Sequence, residues 1–160
     1  MDIHKKEELV SLLSNLVASL SQKEKQEILE KILGKKEGFP ISIFTSALSG
    51  LESIVIFLKD HKGKNIAEIA SLLNRKKSTI YTTYQKAREK LSGQLDVADD
   101  SIIMPYHIFA NRKFAVLESL VAYLKDELNL PFVKITALLN KKYSTVRTVY
   151  VRYTIKNGKK

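Results

Sequence analysis

The segment Leu72-Leu73-Asn74-Arg75-Lys76-Lys77-Ser78-Thr79-Ile80 returns later in the chain as Leu138-Leu139-Asn140-Lys141-Lys142-Tyr143-Ser144-Thr145-Val146. Each copy gathers cationic and hydroxyl side chains just after an Asn. Such groups suit the neutralisation of a polyanion better than bond-breaking chemistry. The distribution of charge agrees. Residues 1–38 hold seven bases and seven acids, which cancel, so the net charge of +10 resides in the twenty bases and ten acids that follow. Nucleic acid is the commonest partner of a concentrated basic field, and an anionic lipid surface is the second.

Catalytic constellations are missing from the sequence. His4, His61 and His107 lie in separate segments, with no second metal-ligand type at a recognised spacing. There is no Cys, which removes thiolate ligands, thiol nucleophiles and disulfides. No Gly-rich stretch precedes a Lys-Ser or Lys-Thr pair as a phosphate loop requires. Glu52 and Glu118 occupy matching places in the two copies, which argues for a shared structural role such as an ion pair within each unit. The expectation is therefore no enzyme, no metal and no cofactor. The charged N-terminus is not a signal peptide, and no apolar run approaches a membrane span, so the chain is expected in the cytoplasm, associated with the nucleoid.

The two copies extend well beyond the basic segment. Leu51-Glu52-Ser53 returns as Leu117-Glu118-Ser119, and Phe57-Leu58-Lys59-Asp60 as Tyr123-Leu124-Lys125-Asp126, at an offset of 66, whereas Pro40 and Pro105 differ by 65. Solenoid units repeat every ~20–50 residues, so this longer period predicts two small domains in tandem. The reading is all-α, with a helical hairpin at residues 1–38, three-helix domains at 39–91 and 105–160, and a polar linker at 92–104.

In the hairpin, Leu9, Leu12, Leu13, Leu16, Val17 and Leu20 form one helical face. Ser21-Gln22-Lys23-Glu24 is a capping box that starts a second helix, whose apolar face is Ile28, Leu29, Ile32 and Leu33 and whose stop is Gly34. The hairpin either packs on the first domain or pairs with a second copy of the chain as a homodimer. In each domain the first helix carries an apolar stripe: Leu48, Leu51, Ile54, Val55 and Leu58, then Phe114, Leu117, Leu120, Val121 and Leu124. A short helix follows at about Ile66–Leu73 and Phe132–Leu139, and a third helix is expected to start from a serine cap at Ser78 or Ser144.

The spacing between the second and third helices predicts a helix-turn-helix. Two helices crossing over a short turn need a small residue, a residue tolerant of the left-handed conformation four places later, and an aliphatic residue six further on. Ala70, Asn74 and Ile80 supply these in the first copy, and Thr136, Asn140 and Val146 in the second. Asn follows Gly in tolerating positive φ. Tyr84 and Tyr150 fall on the inward side of the third helix.

With Leu48–Val55, Ile66–Ile80 and Ala87-Arg88-Glu89-Lys90-Leu91, the first copy resembles the region-four helix-turn-helix of bacterial sigma factors, and the second copy resembles it more loosely. That family reads promoter DNA in the major groove. No segment resembles the sigma domain that melts the promoter, so the reading is a tandem helix-turn-helix transcription regulator that binds double-stranded DNA. The resemblance implies base-edge or phosphate contacts by Lys76, Lys77, Ser78, Tyr81, Thr82 and Gln85 in one copy and by Lys142, Tyr143, Ser144, Arg147, Thr148 and Val151 in the other. Lys86, Arg88, Lys90 and Arg152 are expected at the flanking backbone. Two such helices in one chain can imitate a dimer and enter successive groove turns, ~34–36 Å apart, over a linker that spans at most about 43–47 Å. Because Tyr81 stands where Arg147 does, and Gln85 where Val151 does, an asymmetric DNA site is expected. The alternative is an adaptor that keeps the fold and binds RNA polymerase or another regulator.

Overall fold

The computed structural model describes residues 3–22, 24–25, 28, 37–45, 47–97 and 102–158. The chain divides into two compact units, Met1–Lys36 and Glu37–Lys160.

The first unit contains α1 (Ile3–Ser19). Its expected apolar stripe is present and solvent-facing: Leu9, Leu12, Leu13, Leu16 and Val17 are all exposed, as is Val10. Ser21 caps the next helical turn as expected, with Glu24 N donating to Ser21 Oγ at 3.4 Å and Ser21 N donating to Glu24 Oε2 at 2.8 Å. Leu29, Ile32, Leu33 and Gly34 lie outside the described residues. A groove between the two segments is lined by Val10, Leu13, Ser14, Val17, Ala18 and Lys25.

The second unit holds both copies of the repeat around one core. The first half runs β1 (Gly38–Pro40), a 3₁₀ turn (Ile41–Thr45), α2 (Gly50–Ile56) ending in a wider π turn (Phe57–His61), α3 (Ile66–Leu72) and α4 (Lys77–Lys90). The second half gives the same order: β2 (Ile103–Pro105), a 3₁₀ turn (Tyr106–Phe109), α5 (Val116–Ala122) with its π turn (Tyr123–Glu127), α6 (Phe132–Leu139) and α7 (Tyr143–Lys156). Both apolar stripes face inward. Ile54, Val55, Leu58, Leu120, Val121 and Leu124 are all fully buried.

Two expectations change here. The fold is mostly helical but not all-α, because β1 and β2 pair antiparallel, Gly38 with Pro105, Phe39 with Met104 and Pro40 with Ile103. Strands of three residues bounded by Pro carry no period that a sequence reading can detect. The expected linker is also more than a tether. Leu95 and Met104 within it are buried, Val97 packs against the core, and Ile103 onward belongs to β2.

The pairing joins like to like. At the offset of 65, Met104 is the counterpart of Phe39, Ile103 of Gly38 and Pro105 of Pro40, so each strand meets its own equivalent reversed. A contact in which residue i meets j and the equivalents of j and i meet in turn is isologous, the signature of a two-fold axis. The axis runs on to the helices. A Cβ placed on Gly50, the first residue of α2, would lie 2.7 Å from Cγ1 of Val116, the first residue of α5 and the counterpart of Gly50 at offset 66. Phe39 fills the seam, with its ring 4.6 Å from Tyr106 and 5.4 Å from Phe109 of the second half and 5.8 Å from Phe57 of its own. The 3₁₀ turn of the first half also crosses over to pack on α6.

Gly50→Val should therefore destabilise the second unit by roughly 1–3 kcal/mol through overpacking on the axis. Combining it with Val116→Gly moves the same bulk to the opposite side of the axis. Thermal unfolding of the double variant is expected to recover part of the loss; strict additivity of the two single effects would place Gly50 and Val116 out of contact.

Candidate nucleic-acid interface

The turns between α3 and α4 and between α6 and α7 have the same backbone. Asn74 and Asn140 take the left-handed conformation, with φ of 51° and 48°. The next amide closes each turn: Arg75 N donates to Ala70 O at 2.8 Å, and Lys141 N to Thr136 O at 3.2 Å. Ala70, Ile80 and Val146 are buried in the crossing angle as the spacing required. Thr136 fits less well, because its hydroxyl is buried without a hydrogen-bond partner, as is Arg75 Nε. Burial, with the neighbouring Arg112 guanidinium second, lowers the basicity of Arg75.

The expected serine caps are corrected. α4 starts at Lys77 with extended Lys76 as its N-cap, and α7 starts at Tyr143 with extended Lys142, neither offering a side-chain cap. The left-handed Asn sets the chain direction so that each helix begins two residues earlier than a serine cap would start it. Ser78 and Ser144 thus sit inside the first turn, exposed.

All the positions named for contact are exposed: Lys76, Lys77, Ser78, Tyr81, Thr82, Gln85 and Lys86 on the first copy, and Lys142, Tyr143, Ser144, Arg147, Thr148, Val151 and Arg152 on the second. The second surface is partly self-engaged. Arg147 lies over the Phe132 ring at 4.9 Å, and Tyr143 meets that ring edge-on at 6.4 Å.

Two basic residues expected at the DNA backbone make contacts within the scaffold. Lys90 Nζ pairs with Glu52 Oε1 at 2.7 Å, and Arg88 Nη1 donates to Gly93 O at 3.1 Å and lies 3.4 Å from Asp60 Oδ2. Lys156 repeats the Lys90 contact on Glu118 at 2.7 Å, so the ion pair expected within each unit is present in both. Each glutamate also accepts from the amide at the start of its own helix, Ser49 N and Ala115 N, both at 2.8 Å. Burial would raise both carboxyls, but the lysine ammonium and the amide hold them below 4.5. Tyr84 and Tyr150 brace the middle of the same helices, donating to Asp60 at 3.0 Å and Asp126 at 2.6 Å. The Asp126 hydrogen bond first, then burial, pushes the Tyr150 hydroxyl up to about 12. The Tyr–Asp partners lie 24 residues apart in sequence and the Lys–Glu partners 38, beyond any local motif.

Of the histidines, His61 stacks on Phe57 at 5.8 Å, while His4 and His107 are exposed. Among the described residues no group of His, Asp and Glu could hold a metal ion. No helix among them is long and apolar enough to cross a membrane.

The family model of Sigma-70, region 4 matches residues 45–91. That span covers α2, α3 and α4, which form a sigma-region-4-like helix-turn-helix; Sigma-70 region 4 is itself a DNA-binding module. The match extends over one copy and not the two expected. No curated protein and no solved structure matches the chain.

Replacing Lys90 by Met strands the buried Glu52 carboxylate and should cost about 1–3 kcal/mol at neutral pH. Since the folded carboxyl sits below its ordinary value, its stabilisation is complete above 4.5 and fades as pH falls through the lower folded value. Urea unfolding should thus show wild type and variant converging in acid; a gap independent of pH would remove the charge from the account.

Tyr150 gives the opposite sign. Its stabilisation is present below the ordinary value of 10.0 and is lost as pH rises towards about 12. Ultraviolet titration should find late-ionising tyrosines, since Tyr84, Tyr106 and Tyr150 are all raised, and Asp126→Asn should bring Tyr150 back towards 10.0; an unchanged curve would break the assignment.

Proposed function

We propose that this chain is a transcription regulator that binds double-stranded DNA sequence-specifically, inserting both α4 and α7 into the major groove. The observation that carries the reading is the pair of matching turns. Each left-handed Asn launches a helix whose first turns are exposed, basic and hydroxyl-rich, on a scaffold in which the first copy is a sigma-region-4-like module. Two helix-turn-helix units therefore stand within one folded body.

The roles follow from donor chemistry. Lys76, Lys77 and Lys142 at the helix starts, with Lys86 and Arg152 further along, neutralise phosphates. Gln85 can make a paired hydrogen bond to adenine, Arg147 can meet guanine, and Thr82 or Thr148 can touch a thymine methyl. Sigma region 4 domains bind DNA and RNA polymerase; duplex DNA is the partner proposed for this chain, with RNA polymerase as a second. Pairing with a second copy through the exposed stripe of α1 belongs to the same proposal.

Binding to a duplex measured across a salt series tests the reading. Several phosphate contacts require log affinity to fall steeply and linearly with log salt. Lys76→Ala with Lys77→Ala should weaken binding uniformly across sequences and reduce that slope by roughly two, with the helical circular dichroism unchanged. A flat salt response would transfer the basic surface to an acidic protein partner.

A further inference from the structure

We infer that the chain recognises two half-sites in inverted orientation at one fixed spacing, with the axis of the DNA site coinciding with the internal two-fold axis of the protein. The inference rests on the proposed DNA reading and deepens it, because two helix-turn-helix units in tandem could equally read a direct repeat.

The orientation follows from the seam between the halves. Phe39 pairs with Met104, its own counterpart, and Gly38 and Pro40 pair with the counterparts of Pro40 and Gly38. Gly50 meets Val116, again its own counterpart, at the start of α2 and α5. Both contacts are self-reciprocal, so the halves are related by rotation about an axis and not by translation along the chain. Two units that dock in the same way and are related by a two-fold axis meet the duplex with opposite polarity.

Fixed spacing follows from how the seam is made. Phe39, Met104 and Phe109 are buried where the halves join, and Leu95 of the connecting segment is buried in the same continuous core. The 3₁₀ turn of the first half packs on α6 of the second. Separating the halves would expose this surface, so the distance between α4 and α7 is set by packing and not by a tether. The half-sites themselves differ in sequence, because Tyr81 and Gln85 on one helix stand opposite Arg147 and Val151 on the other.

The chain contains no Cys, which allows a clean test by directed strand cleavage. Thr79 and Thr145 are counterparts, both exposed in the first turn of α4 and α7. Single Thr79→Cys and Thr145→Cys variants of the full chain, checked for helical circular dichroism, would each carry an iron chelate. The probe is a duplex selected from random sequence by the unmodified chain. The expected result is cleavage by the two conjugates on opposite strands, in patterns that mirror about one centre. Inserting about five base pairs at that centre, half a helical turn, should cost on the order of a hundredfold or more in affinity as one half loses its contacts.

Cleavage on the same strand in two translated patterns would overturn the inverted arrangement and leave the DNA reading standing, as would cleavage by one conjugate alone. Insensitivity to the insertion would overturn the fixed spacing. Failure to select any duplex, with no salt-dependent DNA binding, would overturn the DNA reading and this inference together.

Discussion

Antiparallel pairing of Gly38–Pro40 with Ile103–Pro105 is the constraint on which the rest of the second unit depends. Three residues per strand contribute few hydrogen bonds, and an isolated two-stranded ribbon is marginal in water. The apolar surface gathered on the ribbon changes that balance. Phe39 and Met104 are completely buried, and the Phe39 ring touches Tyr106 and Phe109 across the seam. Gly38 is required at its edge, since a Cβ there would fall 2.3 Å from Met104 O. Pro40 and Pro105, which end the two strands, occupy equivalent places and prevent either from extending.

From this seam the architecture propagates outward in matching steps. α2 and α5 start on the axis, α4 and α7 pack across them, and Glu52–Lys90 and Glu118–Lys156 tie the last turn of each outer helix to the first turn of each inner one. Tyr84–Asp60 and Tyr150–Asp126 fix the same helices at mid-length. Each outer helix is held at its middle and its C-terminal end, leaving the N-terminal turns exposed with Lys76, Lys77 and Lys142. Lys90 and Arg88, basic and on the same helix, belong to this bracing through Glu52, Asp60 and Gly93.

Local features were legible in the residues. The left-handed Asn74 and Asn140, the Ser21 capping box, the inward stripes and the matched glutamates all follow from chemistry within a few positions or from comparing the copies. The repeat also holds where the residue type changes, since Gly63 and Asn129 share positive φ at matching places, 65° and 53°. What escaped was long-range. The offset dropping from 66 to 65 at the prolines placed a common element before each domain, but nothing local says that two such elements pair with each other. Nor does an acidic, Gly-containing stretch disclose that its Leu95 is buried. The serine caps failed for a different reason: Lys76 and Lys142 are poor capping residues, yet the turn geometry places them at the cap.

Residues 39–91 and 105–160 are parts of one body and not beads on a tether, a distinction that differential scanning calorimetry of the intact chain resolves. Packing across the seam predicts that both halves melt in one cooperative transition, and that a seam substitution such as Met104→Ala shifts the melting of both together. Independent units would instead give two transitions, with the substitution moving only one of them. That outcome would make the two halves separate domains.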